Sequence, residues 1–321
     1  MTAALPLPAA GTVLTVGSFD GVHRGHMAVL QEISRRARAT GRASLLVTFE
    51  PHPMEVVNPG AAPPLITTPM ERREILAQAD LDYAVILRFD AALRALSPDA
   101  FVRDVLLARF AMRELVIGED HGFGRGRSGD VAMLRALGRT AGFAVDVVPP
   151  VRDAQHGLVS SSRIRQAVIA GDLAMTARLL GRPFQLSSQV LPGARRGRTI
   201  GVPTINLAVP PRKLLPPDGV YAVWVEWPGG RAGAMLNQGP RPTVGDPVRG
   251  IEAHLFDFAG DLYGAWVRIE WVARLRDVRQ FGSLEALKTQ LVEDAARARA
   301  ALETGHAGDA RAETAAGLNT D

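Results

Sequence analysis

The sequence predicts two folded units of different class: an α/β unit on a parallel sheet, then an antiparallel β-barrel carrying a terminal helix. Three observations support this. Short apolar runs alternate with helix-length segments through the first half of the chain, the pattern of βαβ units. Beyond "DLAMTARLLGRPF" (172–184), strand-like runs follow one another closely between Pro and Gly, the pattern of a barrel or sandwich. A length of 321 residues also suits about two domains, each with its own core. The expected boundaries are 1–184 for the first unit and 185–303 for the second, with 304–321, rich in Gly, Ala and Asp, as a disordered tail.

The first unit reads as strand 12–18, helix from about 26 to 38, strand 43–49, helix 71–79, strand 83–89, helix 98–110, strand 114–120, helix 130–140 and strand 143–149. Parallel sheets of this kind bind ligands beyond the carboxyl ends of their strands. The second unit reads as strands from "SSQVLPG", "GVYAVWVEW" (219–227), "RAGAMLNQG", "GIEAHLFDF" (250–258) and "AWVRIEW" (265–271). Ser283 is placed to cap a final helix with Leu284, Leu287, Leu291 and Val292 on one face.

Composition removes several function classes. The chain has no cysteine, so disulfides, thiolate catalysis and cysteine-held zinc or iron–sulfur sites are excluded, and a reducing compartment fits. The opening "MTAALPLPAAGTVLTVGSFD" has no basic run ahead of its apolar residues. No signal peptide, no spanning helix and a cytoplasmic location are therefore expected. A formal net charge of +4 favours anionic partners without specifying nucleic acid. Lys213 and Lys288 are the chain's lysines and neither follows glycine, so a P-loop of the GK[ST] kind is absent. Any phosphate must be held by arginine, histidine, backbone amides or a metal.

"GSFDGVHRGH" (17–26) follows the first strand. Gly17, Gly21 and Gly25 allow a sharp turn and close approach to a ligand, and amides at the following helix start can meet phosphate. His23 and His26 stand about one helical turn apart and can face one anion. A His-x-x-His zinc site and two structural histidines are the competing readings of the pair alone. Three further polar clusters follow apolar strands: "TFEPHP" (48–53) with His52, "GEDHGFGRGRSGD" (118–130) with Asp120, and "VSSSRIRQ" (159–166) with Ser160, Ser161, Ser162 and Arg165. "GRGRSG" (124–129), with Asp146 beyond it, also satisfies a loose dinucleotide-binding fingerprint, but it falls late in the chain with arginines in its variable positions.

In the second unit, "GRTIGVPTIN" (197–206) is glycine-flanked, and Thr204 and Asn206 place two oxygens on one side if extended. Hard oxygens of this kind suit Mg²⁺, although a polar turn would read the same way. Glu252, His254, Phe256 and Phe258 share a face at period two. On strand pattern alone Glu252 is either a tolerated rim carboxylate or a base in a partly dry site.

Taken in order, "GSFDGVHRGH", "TFEPHP", "GEDHGFGRGRSGD" and "SSSRIR" resemble the N-terminal half of the bacterial bifunctional riboflavin kinase/FAD synthetase family. "GRPFQLSSQVLPGARRGRTIGVPTINL", "PPDGVYAVWV", "LNQGPRPTVG", "IEAHLFDFAGDLYG" and the final helix resemble its riboflavin kinase half, so the likeness spans roughly 11–300. The resemblance implies a Rossmann-like nucleotidyltransferase domain followed by a riboflavin kinase barrel. It implies ATP-dependent phosphorylation of riboflavin to FMN, then adenylylation of FMN to FAD with release of pyrophosphate. Mg²⁺ is the implied cofactor, ATP the co-substrate, and FMN and FAD are products rather than prosthetic groups. Carried over by position, Glu252 is the catalytic base and Thr204 and Asn206 the metal and nucleotide site. His23, His26 and Arg165 act on the transferred phosphate, and Gly17, Phe19, Asp20, Gly21, Gly25, His52, Asp120, Ser160, Ser161 and Ser162 surround the nucleotide, with Gly193, Arg198 and Gly201 doing so in the barrel. His121, Ser188, Ile205 and Gln238 depart from the family pattern. None removes a proposed catalytic group, but His121 stands next to the adenylyl site.

Other classes fit less well. A single-activity adenylyltransferase for another phosphate acceptor would leave the barrel as a binding module. A nucleic-acid binder would stripe its arginines and expose aromatics, and this sequence scatters the former and has few of the latter. Small-molecule substrates are expected, with neither nucleic acid nor membrane as partner.

Overall fold

The computed structural model describes residues 6–119, 130–192, 202–240 and 249–316. The chain divides into two compact units, Met1–Ser161 and Ser162–Asp321.

The first unit runs β1 (Thr12–Val16), α1 (Arg24–Thr40), β2 (Ala43–Glu50), α2 (Pro53–Val57), a 3₁₀ turn at Pro59–Ala61, α3 (Pro69–Ala77), β3 (Tyr83–Arg88) and α4 (Ala91–Ala95). It continues through α5 (Pro98–Ala100), a π-helical stretch Phe101–Leu107, α6 (Ala108–Phe110), β4 (Met112–Gly118), α7 (Val131–Ala141), β5 (Ala144–Val148) and a small hairpin of β6 (Arg152–Asp153) and β7 (Gly157–Leu158). Five strands pair in parallel in the order β3-β2-β1-β4-β5. Successive residues of a strand face opposite sides. Leu14, Leu45, Leu115 and Ile117 therefore pack with Phe101, Val105 and Leu134, while Val13, Leu46 and Val116 pack with Leu30, Ile33 and Ala37 of α1. Each such side chain contributes about 1.5–3 kcal/mol by leaving water. Arg36 fixes the back of α1 to the sheet by pairing with Glu114 at 2.5 Å and with Asp146. The Asp146 carboxylate, the acid of the dinucleotide fingerprint, is thus engaged by Arg36.

The five expected strands are all present. β1 lies between β2 and β4, so the chain leaves it on one side and returns on the other, opening a crevice at the carboxyl ends. The expected helix at 98–110 is helical throughout, but its middle is π-helical.

The second unit holds α8 (Ser161–Ala170, starting at the division), α9 (Leu173–Leu180), β8 (Phe184–Leu191), β9 (Ile205–Leu207), β10 (Gly219–Trp227), β11 (Gly230–Pro240), β12 (Arg249–Leu255), β13 (Trp266–Arg276) and α10 (Leu284–Ala316). The units divide earlier than residue 184 because α9 packs on β8 and β13 and so belongs with the barrel. The six strands close in the order β10-β11-β12-β9-β8-β13. Tyr221, Val223, Val225, Leu236, Ile251, Ala253 and Ile269 are fully buried. On the alternate positions Val220, Ala222 and Met235 pack under Ala298 and Leu302 of α10.

Three expectations for this unit differ from what is observed. Ser283 caps α10 through Ala286 N–H at 3.1 Å, but Leu284 and Val292 are exposed. The buried stripe runs through Leu291, Asp294, Ala298 and Leu302, because Val292 is rotated about 100° from Leu291. The strand read as 250–258 ends at Leu255, as Asp257 takes a left-handed φ of 55°; Phe258 packs instead against Trp227. The final helix continues to Ala316 through residues assigned to a tail, where the Ala, Arg and Glu content supplies helix propensity.

Candidate active sites

In the first unit, residues 17–23 turn from β1 into α1 through an unusual backbone. Phe19, Gly21 and Val22 all have positive φ, at 49°, 88° and 37°, and a β-branched residue there is strained by about 1–3 kcal/mol. The loop is held on both sides. The Asp20 carboxylate, 2% exposed, accepts from Ile66 N–H, Thr67 N–H and the Thr67 hydroxyl at 3.0–3.2 Å. Gly21 N–H donates to Thr67 Oγ1 at 2.9 Å, and the Ser161 hydroxyl donates to the Asp20 carbonyl at 3.0 Å. Gly21 is required in a second way, since a Cβ there would meet Ile66 at 3.1 Å.

α1 opens with a reciprocal cap made of two histidines. His26 N–H donates to His23 Nδ1 at 3.3 Å and His23 N–H to His26 Nδ1 at 3.4 Å. The rings stack with centroids 3.6 Å apart and 14° between planes, and Phe19 lies against His26. With both Nδ1 atoms accepting, the ring proton of each neutral imidazole sits on Nε2 as a donor. Gly25 leaves room for this stack: a Cβ would meet the His23 ring at 3.2 Å.

The pair lines a cavity of about 1360 Å³ at the carboxyl ends of β1, β2, β4 and β5. That exceeds the roughly 300–1,000 Å³ of a pocket for one small ligand. One part is polar, with Ser18, His23, His26, Ser160 and Ser161; another is apolar and aromatic, with Phe49, Met54, Phe89, Leu93, Leu96 and Phe101. Gly17, Phe19, Gly25 and His52 line it too. His52 caps α2, its Nδ1 accepting from Met54 N–H at 3.2 Å. Asp20 and Gly21 are not among the lining residues; they brace the loop. Ser162 and Arg165 belong to α8 in the second unit. Asp120 and His121 lie outside the described residues, as do Gly193, Arg198 and Gly201 of the barrel.

The apolar part was not read from the sequence. Its signal is the placing of Phe49 in the last turn of a strand and Phe89 just past another, where such a sheet exposes side chains to ligand.

In the barrel, Asn206 of β9 stands directly opposite Glu252 of β12, which in turn stands opposite Asn237 of β11. Residues paired in register lie on one face. Ile251 and Ala253 point inward, so this polar row is on the outer face, next to the face that α10 covers. Asn206 is 6% exposed, Glu252 half-buried and Asn237 exposed. Thr204 precedes β9 and is half-buried, and His254 Nδ1 contacts the Pro203 carbonyl at 2.7 Å. Gln238, one of the departures from the family pattern, is wholly buried, its amide donating to the Pro216 carbonyl at 2.5 Å. Ser188 is buried and its hydroxyl donates to the Ala208 carbonyl at 2.5 Å.

Two family models match the chain: FAD synthetase over residues 6–163 and riboflavin kinase over 180–302. The bifunctional riboflavin kinase/FMN adenylyltransferase of Escherichia coli (strain K12) is 38% identical over 294 residues, covering 91% of this chain and 93% of that protein. The protein of that description from Pseudomonas fluorescens is 40% identical over 298 residues, covering 90% and 93%. A crystal structure described as a macrolide-efflux protein from Streptococcus pneumoniae superimposes with a TM-score of 0.81 at 31% identity, covering 92% of this chain and 96% of that one. Among the described residues no helix is long and apolar enough to cross a membrane. An α/β unit with a cavity at the carboxyl ends of its strands, and a closed antiparallel barrel after it, define a two-module enzyme, and the chain belongs to the bifunctional riboflavin kinase/FMN adenylyltransferase family.

Proposed function

We propose that this chain phosphorylates riboflavin with ATP in the barrel and adenylylates the resulting FMN with a second ATP in the first unit, giving FAD and pyrophosphate. The observation that carries the reading is the contrast between the sites: paired imidazoles at a helix start in one unit, and the Asn206–Glu252 row in the other.

The first reaction begins from an alcohol, which is too weak an acid to be ionised near neutral pH. Its oxygen bonds to the γ-phosphorus as the bond to ADP breaks, and the hydroxyl proton goes to Glu252. Mg²⁺ belongs to this proposal, and Thr204 and Asn206 are the residues that would hold it. The donor set fits, being two neutral oxygens beside one carboxylate across the strand pair. Among the described residues no group of three His, Cys, Asp or Glu side chains forms a metal cage, which suits an ion that borrows most ligands from water and substrate. When bound, the ion spreads the charge of the transferred phosphoryl group.

The second nucleophile arrives charged, since a phosphate monoester has its second pKa near about 6. A phosphate oxygen of FMN bonds to the α-phosphorus of ATP, and the bond to the β-phosphate oxygen breaks. No base is required; the barrier lies in bringing anions together. His23 and His26 donate through Nε2, the N–H groups of the first turn of α1 add their dipole, and Ser160 supplies a hydroxyl, while that of Ser161 holds the loop through the Asp20 carbonyl. The aromatic part of the cavity takes a flat ring. A cytoplasmic location belongs to this reading, as both reactions consume ATP.

Incubating the protein with riboflavin, ATP and Mg²⁺ and separating the flavins tests the proposal. FMN and FAD are both expected; a folded protein that forms neither refutes it.

A further inference from the structure

Arg72 of α3 is a buried cation that the reading above does not use. It is 5% exposed. Its Nη1 donates to the Ser18 carbonyl at 2.9 Å and its Nη2 to the Phe49 carbonyl at 2.7 Å, while Nε is buried with no acceptor among the described residues. Burial pushes the guanidinium below its ordinary value, opposed by the Asp20 and Glu50 carboxylates nearby. Burying such a group costs free energy unless its bonds do something a leucine could not.

What it bonds is informative. Ser18 and Phe49 both line the cavity, one just past β1 and the other near the end of β2. Arg72 therefore spans the carboxyl ends of two adjacent strands from below. The Ser18 carbonyl also accepts from the Thr48 hydroxyl at 3.1 Å, so two donors fix the direction of the Ser18–Phe19 peptide. A trans peptide points its C=O and N–H opposite ways. With the carbonyl turned down to Arg72, the Phe19 N–H is turned the other way, and no described residue accepts from it. Phe19 itself has φ +49°, a conformation the chain would leave without such an anchor.

Resting on the adenylylation reading, we infer that Arg72 is a positioning residue for that reaction: by gripping the Ser18 and Phe49 carbonyls it holds the 18–19 peptide with its N–H toward the phosphates in the cavity. Arg72 touches no substrate and acts through that peptide.

The test compares Arg72→Ala and Arg72→Lys with the unaltered enzyme, measuring FAD formation from supplied FMN and FMN formation from riboflavin in the same preparation. Wild-type protein must first form FAD from FMN; if it does not, the adenylylation reading fails and the role of Arg72 with it. Given that activity, Arg72→Ala is expected to lower kcat for adenylylation about 10²-fold, the size of losing one preorganised donor, with KM for ATP and riboflavin phosphorylation changed little. Arg72→Lys, which keeps the charge but has no fork to hold both carbonyls, is expected to recover activity only in part. Adenylylation kcat kept within about threefold in Arg72→Ala would overturn the inference, since a lost donor is worth far more. So would a lysine variant as active as wild type, or a loss that follows the unfolded fraction measured by circular dichroism.

Discussion

The imidazoles of His23 and His26 lie 3.6 Å apart, ring on ring, and each accepts the main-chain N–H of the other. One pair of side chains thereby caps α1, with the ring proton of each neutral imidazole on Nε2.

The two roles separate by substitution. His23→Ala and His26→Ala should each lower α1 stability by about 0.5–2 kcal/mol through the lost cap. Asn in either place keeps a capping oxygen, so thermal unfolding should return toward wild type. FAD formation should stay about 10²-fold or more down in all four variants, because the donor to phosphate is gone. Activity restored along with stability would show that the histidines only cap.

The barrel row makes a separate prediction about Mg²⁺. Asn206→Ala should raise the Mg²⁺ concentration for half-maximal riboflavin phosphorylation about tenfold, since one of few protein oxygens is removed. Adenylylation of supplied FMN should keep its Mg²⁺ dependence, as Asn206 belongs to the second unit. A metal titration of each reaction checks this.

Acid stability follows from Glu32. The guanidinium of Arg35, with that of Arg36, lowers its carboxyl from an ordinary 4.5 to about 2, against the opposing effect of burial. A group whose value is lowered by folding stabilises the native state above its unfolded value and loses that contribution as pH falls through the folded one. Glu32→Gln should therefore be less stable than wild type at neutral pH, with the gap closing between about pH 4.5 and 2. Urea unfolding at several pH values measures the gap; a constant difference contradicts the pairing.

Asp294 of α10, fully buried, takes both ends of the Arg276 guanidinium at 2.6–3.0 Å, and Gln290 adds a bond at 2.9 Å. Asp294→Ala leaves Arg276 without its partner and should cost about 3–5 kcal/mol, read as a lower denaturant midpoint of the barrel.

Much of this was legible in the sequence. The five strands of the sheet could be read because buried parallel strands are continuous apolar runs, and the cap at Ser283 because its hydroxyl precedes a helical pattern. Direction was not legible. The Asp20 carboxylate faces the Ile66 and Thr67 amides, which the sequence does not show, as a carboxylate in a glycine loop reads the same whichever side it serves. Arg72 and Arg73 are adjacent and chemically identical, yet one is buried under the loop while the other pairs with Glu50 near the surface. The π-helical turn at 101–107 also has no composition of its own. The outer row of Asn206, Glu252 and Asn237 needed the register of three strands, which closes only in the folded barrel.

The most direct measurement is of Glu252→Gln, given ATP and Mg²⁺ with riboflavin in one vessel and FMN in another. The account expects FMN formation from riboflavin to fall about 10²–10⁴-fold, the usual worth of a general base, while FAD still forms from supplied FMN near the wild-type rate. Riboflavin phosphorylated at an undiminished rate would contradict it.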